Sequence, residues 1–295
     1  GQTVEGLLRA ADMAMYEAKR AGRQQYRFFS PEMNGRARSR LMLEESLRTA
    51  IEQHDFQLVY QPQIHLQTGR LRGFEALLRW QRAGVGTVSP GLFIPLLEET
   101  RLINQVGDWV FHTGVSQFLT LPPAFREQQI LSLNVSPVQF SMPSLLDDLR
   151  RVLDLHQLAP AQLELEVTES ALMHNLENTR EQLQQLRRLG VRVAIDDFGI
   201  GFSSLSYLQQ LPLDRIKVDR AFIRDISQVQ GEVIAETIIS LGKRLNLSTI
   251  AEGVETEQQA EAVSLMGCDE VQGFLYAKPM PAGPLLTFLQ QHVPA

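Results

Sequence analysis

From residue 56 onward the chain repeats one pattern: a short apolar run, then a longer stretch whose apolar residues keep helical spacing. The runs cover 57–61, 71–78, 130–135, 163–167, 191–195, 214–218, 248–251 and 270–274. Between them lie amphipathic segments such as 177–189, where Leu183, Leu186 and Leu189 form one stripe before Gly190. Eight strand candidates alternating with helices predict an α/β fold with a mostly parallel sheet. That sheet is either open and doubly wound or closed as a (β/α)8 barrel. The first two runs break the rule, because residues 64–70 are too few for a crossover helix. A parallel pair needs a dozen or more connecting residues, so these two strands must be antiparallel.

Upstream, Leu7, Leu8, Ala11, Met13, Met15 and Ala18 predict a helix over 5–21. Tyr26, Phe28 and Phe29 predict a short strand, and Ser30-Pro31 breaks it. Leu41, Leu43, Leu47 and Ile51 then predict a second helix through about 41–53. This opening unit reads as separate from the alternating region that begins at residue 56.

Polar residues choose between the two sheet architectures. Glu75, Asn134, Glu166, Asp196-Asp197, Lys217, Glu252 and Gln272 fall at or near the same end of seven successive runs. Such groups converge only if the sheet closes, and in a barrel those strand ends build the active site. An open sheet would gather ligands at one switch point. A modified TIM-like barrel, with its first strand antiparallel, is the expected fold.

Length then takes on meaning. The 295 residues fit one barrel of about 250 with a remainder at the start. With 44% apolar and 21% charged residues, disorder, collagen-like sequence and coiled coil are excluded. A net charge of −6 without a Lys/Arg stripe argues against polymeric nucleic acid as a partner. The single cysteine, Cys268, excludes internal disulfides and thiolate zinc sites, and it reads as a small core residue. No run of about 18 apolar residues is present, so no membrane contact is expected within this piece; the expected compartment is cytoplasm, with anchoring of a longer protein at the inner membrane left open. The chain starts without Met, as a piece of a longer protein would.

The chemistry concentrates in Glu75, Glu166, Glu169, Asp196, Asp197 and Glu252, joined by Asn134 and Gln272. Oxygen donors in this number suit Mg²⁺ or Mn²⁺. Without cations such carboxylates repel one another and their pKa values rise. An adjacent aspartate pair suits two ions about 3.5–4 Å apart, the arrangement used for phosphodiester hydrolysis. Taken singly, Glu169 reads as a helix cap; taken together, the set reads as a site. Lys217 either faces the barrel mouth, holding a water or a phosphoryl oxygen, or lies outside, paired with Asp219. Arg79 either grips a phosphate with a bidentate fork or stacks on Trp80. Gly199 and Gly201 allow a close backbone bend. The DFG string lacks the other protein-kinase signatures. A glycosidase would need only two of these carboxylates.

These residues carry a family resemblance. Glu75–Trp80 reads EALLRW, followed in order by NVS at 134–136, EVTES at 166–170, DDFGIGFSSL at 196–205, IKVDRAFI at 216–223, AEGVET at 251–256 and QGFLYAKPM at 272–280. The series resembles the EAL-domain family of cyclic di-GMP phosphodiesterases over roughly residues 37–293. The resemblance implies two-metal hydrolysis of one phosphodiester to linear 5′-pGpG. It also implies residue roles. Glu75, Asn134, Glu166 and Asp196 hold the first ion, and Asp196 and Asp197 serve the second. Glu252 acts as general base, and Lys217 binds the attacking water. Gln272 supports the site, Glu169 holds the loop after Asp197, and Gln61 and Arg79 contact the dinucleotide. Ile200 and Phe202 depart from the Thr and Tyr usual in that loop.

Residues 7–29 resemble the last helix and strand of a GGDEF diguanylate cyclase domain. The implied layout is a GGDEF remnant at 1–30, a linker helix at 31–53 and the barrel at 54–295, in a homodimer with upstream GGDEF and sensory domains. A non-catalytic cyclic di-GMP receptor is the alternative, although receptors in the family usually lack metal or base residues that are all present here.

Overall fold

In the computed structural model, which describes residues 3–20, 25–82, 84–173, 176–199 and 208–292, the repeating pattern becomes a sheet closed on itself. Its strands are β1 (Phe56–His65), β2 (Leu71–Arg82), β3 (Gly86–Val88), β4 (Ile130–Val135), β5 (Leu163–Thr168), β6 (Arg192–Phe198), β7 (Arg215–Val218), β8 (Ser248–Glu252) and β9 (Glu270–Gln272). The order is β1-β9-β8-β7-β6-β5-β4-β2, and β1 pairs back onto β2. Eight strands therefore close the barrel. The short β3, which the polar sequence did not announce, only extends the far end of β2 as a hairpin.

Strand directions follow from connection length. The parallel steps β4 to β5, β5 to β6, β7 to β8 and β8 to β9 are made through helical segments, whereas β1 turns back within residues 66–70 and runs antiparallel to both neighbours. Strand β6 runs three residues past its apolar run and takes the aspartate pair into the barrel wall.

Alternation along the strands separates two environments. Leu131, Leu133, Leu163, Leu165, Ile195, Ile216, Val218 and Ala251 are buried, and the side of the wall they occupy is covered by helices. Those helices contribute Leu183 and Leu186 from Leu176–Leu189, and Ala235, Ile238 and Ile239 from Val229–Arg244. The intervening residues point into the barrel and are mostly polar. Barrel interiors are usually packed with Val, Ile and Leu; this one is filled by charge and amide groups. Cys268 lies in the hydrophobic core, as expected, with burial pushing its thiol up to about 11.

At the N-terminus, α1 (Val4–Arg20) and α2 (Pro31–Gln53) are both helical. Helix α2 begins ten residues earlier than its apolar stripe predicts, because Pro31 at its first turn presets helical φ. Its first half is only sparsely buried: Met33 is buried but Leu41 and Met42 are exposed, while Leu47 and Ala50 lie in the core. The expected strand at Tyr26–Phe29 does not form; residues 25–30 carry neither helix nor strand. A strand needs a neighbouring ladder, and Tyr26 and Phe28 instead lie exposed, edge to face at 5.4 Å. Among the described residues, no helix is long and apolar enough to cross a membrane.

Candidate active site

Strand register assembles the site. Gln61 sits opposite Glu75, Asn134 beside Glu166, Thr168 beside Asp196 and Glu252 beside Gln272. Because these positions share one level of the wall, their side chains meet at one barrel mouth. The ammonium of Lys217 is the hub. Its Nζ lies 2.5 Å from Glu166 Oε2, 2.6 Å from Glu252 Oε1, 3.1 Å from Asp196 Oδ1 and 3.7 Å from Glu75 Oε1. Lys217 is therefore inside the barrel, not paired outside with Asp219, whose carboxylate caps the helix Arg220–Arg224.

Glu75 is held by two amides. Asn134 Nδ2 donates to its Oε1 at 2.7 Å, and Gln272 Nε2 donates to its Oε2 at 2.5 Å. Gln61 is buried and accepts from Gln272 at 3.1 Å while donating to the carbonyl of Ala277. The two aspartates diverge. Ladder register shifts between Ile195 and Phe198, and Asp197 adopts a φ of 53°. Such an irregularity re-aims side chains: Asp196 faces Lys217, while Asp197 is exposed.

Glu169 does not behave as a free cap. It is buried, and its Oε2 accepts from the Gly199 amide at 3.0 Å, tying the start of one helix to the end of β6. Gly199 has φ +100°, a conformation L side chains rarely adopt. Ile200, Gly201 and Phe202 lie outside the described residues. Arg79 is half-buried and donates to the carbonyl of Leu78, while the Trp80 ring packs against Phe56 and Phe93.

Position 273 cannot carry a side chain. A Cβ on Gly273 would lie 2.0 Å from the carbonyl oxygen of Val254, where backbone bonds lock the segment after Glu252 to Gln272. Gly273→Ala should destabilise the fold by about 1–3 kcal/mol, as overpacking against backbone does. A urea midpoint equal to that of the parent protein would refute this.

Electrostatics follow from crowding. Burial pushes Glu166 well above the usual carboxylate range and Glu252 up to about 8, with Lys217 opposing both. Burial would also raise Glu75, but Lys217 with the Gln272 and Asn134 amides outweighs it and holds the group low. Asp197 is pushed up to about 6, by partial burial and then by the charges of Asp196 and Asp219. Lys217, surrounded by acids, stays an ammonium despite its burial.

A barrel with its first strand reversed and acids around one mouth narrows the ancestry, and the family pattern described as the EAL domain matches residues 44–279. The chain belongs to the EAL-domain family. A Pseudomonas aeruginosa relative named bifunctional diguanylate cyclase/cyclic di-GMP phosphodiesterase MucR is 42% identical over 97% of this chain. The cyclic di-GMP phosphodiesterase NbdA of the same organism is 41% identical over 99%. This chain spans 42% of the first and 37% of the second. Among solved structures, the PaMucR phosphodiesterase in complex with c-di-GMP aligns with a TM-score of 0.80 at 42% identity, covering 83% of this chain and 99% of that one. The EAL enzyme Bd1971, bound to cAMP and cyclic di-GMP, aligns at 0.84 and 30% identity, over 98% of this chain and 76% of the other.

Enzymes of the EAL family are generally divalent-metal dependent, and this donor set fits such ions. Every candidate ligand is a hard oxygen donor, which favours Mg²⁺ or Mn²⁺. Glu166 Oε1 is buried without a hydrogen-bond partner, an acceptor that a cation would satisfy. Among the described residues no three His, Cys, Asp or Glu side chains are grouped as a ready cage; the acids lean on Lys217 instead.

Sequence reasoning missed the polar residues deeper in this EAL barrel: Gln63, Ser132, Glu164, Arg215 and Glu270, all buried. The signal was present. Each lies two positions from a site residue on its own strand, as in Gln61/Gln63, Glu164/Glu166 and Arg215/Lys217, and a spacing of two places both on one face.

Proposed function

We propose that this EAL barrel hydrolyses one phosphodiester bond of cyclic di-GMP to linear 5′-pGpG. The observation that carries the reading is the ring of acids and amides gathered around Lys217 at one barrel mouth. Similarity to relatives named for this activity supports it.

Glu75, Asn134, Glu166, Asp196 and Asp197 would hold two Mg²⁺ or Mn²⁺ ions. When bound, such ions neutralise phosphate charge and acidify a water. Glu252 takes the proton from the attacking water at its carboxylate. Lys217 holds that water's oxygen and offsets charge on the phosphoryl group. Arg79 and Gln61 bind the dinucleotide, Gln272 fixes Glu75, and Glu169 holds the loop after Asp197. Water's oxygen bonds to phosphorus, the P–O3′ bond breaks, and the 3′ oxygen leaves with a proton. Turnover of cyclic di-GMP to pGpG with either ion is the test. Its absence in folded protein overturns the reading, and tight binding without turnover reassigns the barrel as a receptor.

Residues 1–30 belong, in this reading, to the tail of a GGDEF domain. Exposed Val4, Leu7, Leu8 and Met15 leave α1 with an apolar stripe, and one relative is named a diguanylate cyclase as well as a phosphodiesterase.

A pH dependence follows. Glu252 sits at about 8 against an ordinary 4.5, so its contribution to stability is full below about 4.5 and is lost as pH rises through 8. Glu166 acts in the same direction. The metal-free protein should therefore melt at lower temperature at pH about 8.5 than at about 6, with Mn²⁺ restoring more at the higher pH, because bound cations displace protons. Thermal melts across pH with and without Mn²⁺ check this, and an equal Mn²⁺ shift at both pH values refutes it.

A further inference from the structure

Beneath the ring around Lys217 lies a second polar layer, one pleat lower in the barrel. Its hub is Arg215, which is fully buried. The guanidinium pairs with Glu164 Oε1 at 3.1 Å and Glu270 Oε2 at 2.9 Å, the latter outside hydrogen-bonding angles. Its Nε donates to Ser248 Oγ at 3.3 Å, and its Nη1 donates to Gln63 Oε1 at 3.1 Å. From there a chain climbs. Gln63 Nε2 donates to Gln272 Oε1 at 3.1 Å, and Gln272 Nε2 donates to Glu75 Oε2.

This chain has one direction only. A guanidinium has no acceptor atom, so Gln63 must turn its oxygen down to Arg215 and its NH₂ up to Gln272. Gln272 must then present its oxygen below and its NH₂ above, toward Glu75. Reversing either amide would set oxygen against oxygen or N–H against N–H in a buried site, where unpaired polar groups are costly. Glu75 consequently receives a donor on Oε2, and its Oε1 is left to Asn134 and Lys217.

We infer that Gln63 and Arg215 are positioning residues that orient the metal-holding carboxylate of Glu75 through a directional amide relay. The inference rests on the phosphodiesterase reading for the role of Glu75. The competing view makes the lower layer a purely structural set of ion pairs. Gln63→Met separates the two, because it cuts the relay yet keeps Arg215 with Glu164 and Glu270.

Mn²⁺ affinity, titrated by electron paramagnetic resonance of free Mn²⁺, should fall about 10–100-fold in this variant, the usual loss for a residue behind a metal ligand. Turnover should fall with it while cooperative unfolding is retained. A folded Gln63→Met protein with parental Mn²⁺ affinity overturns the relay, and if it also hydrolyses cyclic di-GMP normally, the phosphodiesterase reading survives. If the parent protein binds Mn²⁺ but never hydrolyses, that reading falls alone, and the affinity ratio still judges the relay. Parent protein that binds no Mn²⁺ overturns both. Should Gln63→Met fail to fold, the parent protein decides by NMR. Mg²⁺ must then shift the Gln63 side-chain amide and the Arg215 guanidinium; unmoved signals overturn the relay.

Discussion

Lys217→Met protein should lose most of its turnover and, in the absence of metal, much of its stability. The ammonium lies within 3.1 Å of Glu166, Glu252 and Asp196, and a methionine leaves these acids facing one another. Deleting one partner of a buried ionic cluster costs about 3–5 kcal/mol. The loss should deepen with rising pH, since protonated acids no longer repel. Turnover should drop about 10²–10³-fold, the penalty for removing one preorganised charge aimed at a reacting group. Urea unfolding near pH 6 and 8, with and without Mn²⁺, reads both effects. Unchanged stability at the higher pH without metal would show that Lys217 is not the counter-ion of the cluster.

Glu252→Gln should lower kcat by about 10²–10⁴-fold with KM little changed, the range for losing a general base. The substitution keeps the shape of the side chain and removes its proton acceptor. In the metal-free site Glu252 is raised to about 8 by burial, and neighbouring divalent charge would lower it into the range where a base works at neutral pH. Steady-state kinetics separates the outcomes. A rise in KM at constant kcat would make Glu252 a binding residue instead.

Much of the barrel was legible because its strands are bounded by helical stripes, and because one short connection betrayed the reversed strand. The mouth was legible because ionisable groups such as Lys217 are out of place in apolar runs. Less visible was the part that depends on partners far along the chain. Tyr26–Phe29 has strand composition but finds no ladder. Glu169 looks like a cap until Gly199, thirty positions on, takes its carboxylate. Arg215 and Glu164 went unread, although each stands two positions from a site residue on its own strand and so shares its inner face.

The closing seam sets the order of assembly. Strand β1 meets β9 through Ile64–Val271 and His65–Glu270 alone, and the Gln63–Gln272 bond spans 209 positions of sequence. Pairings so distant form slowly, because the chain entropy of closure is spent before any contact rewards it. During synthesis β1 and β2 can zip as a local hairpin, but the barrel must wait open-edged until β9 emerges. An exposed β1 edge is then a template for the wrong neighbour. The edge that matters for association is therefore that of the nascent chain, since the finished barrel leaves β1 paired on both sides.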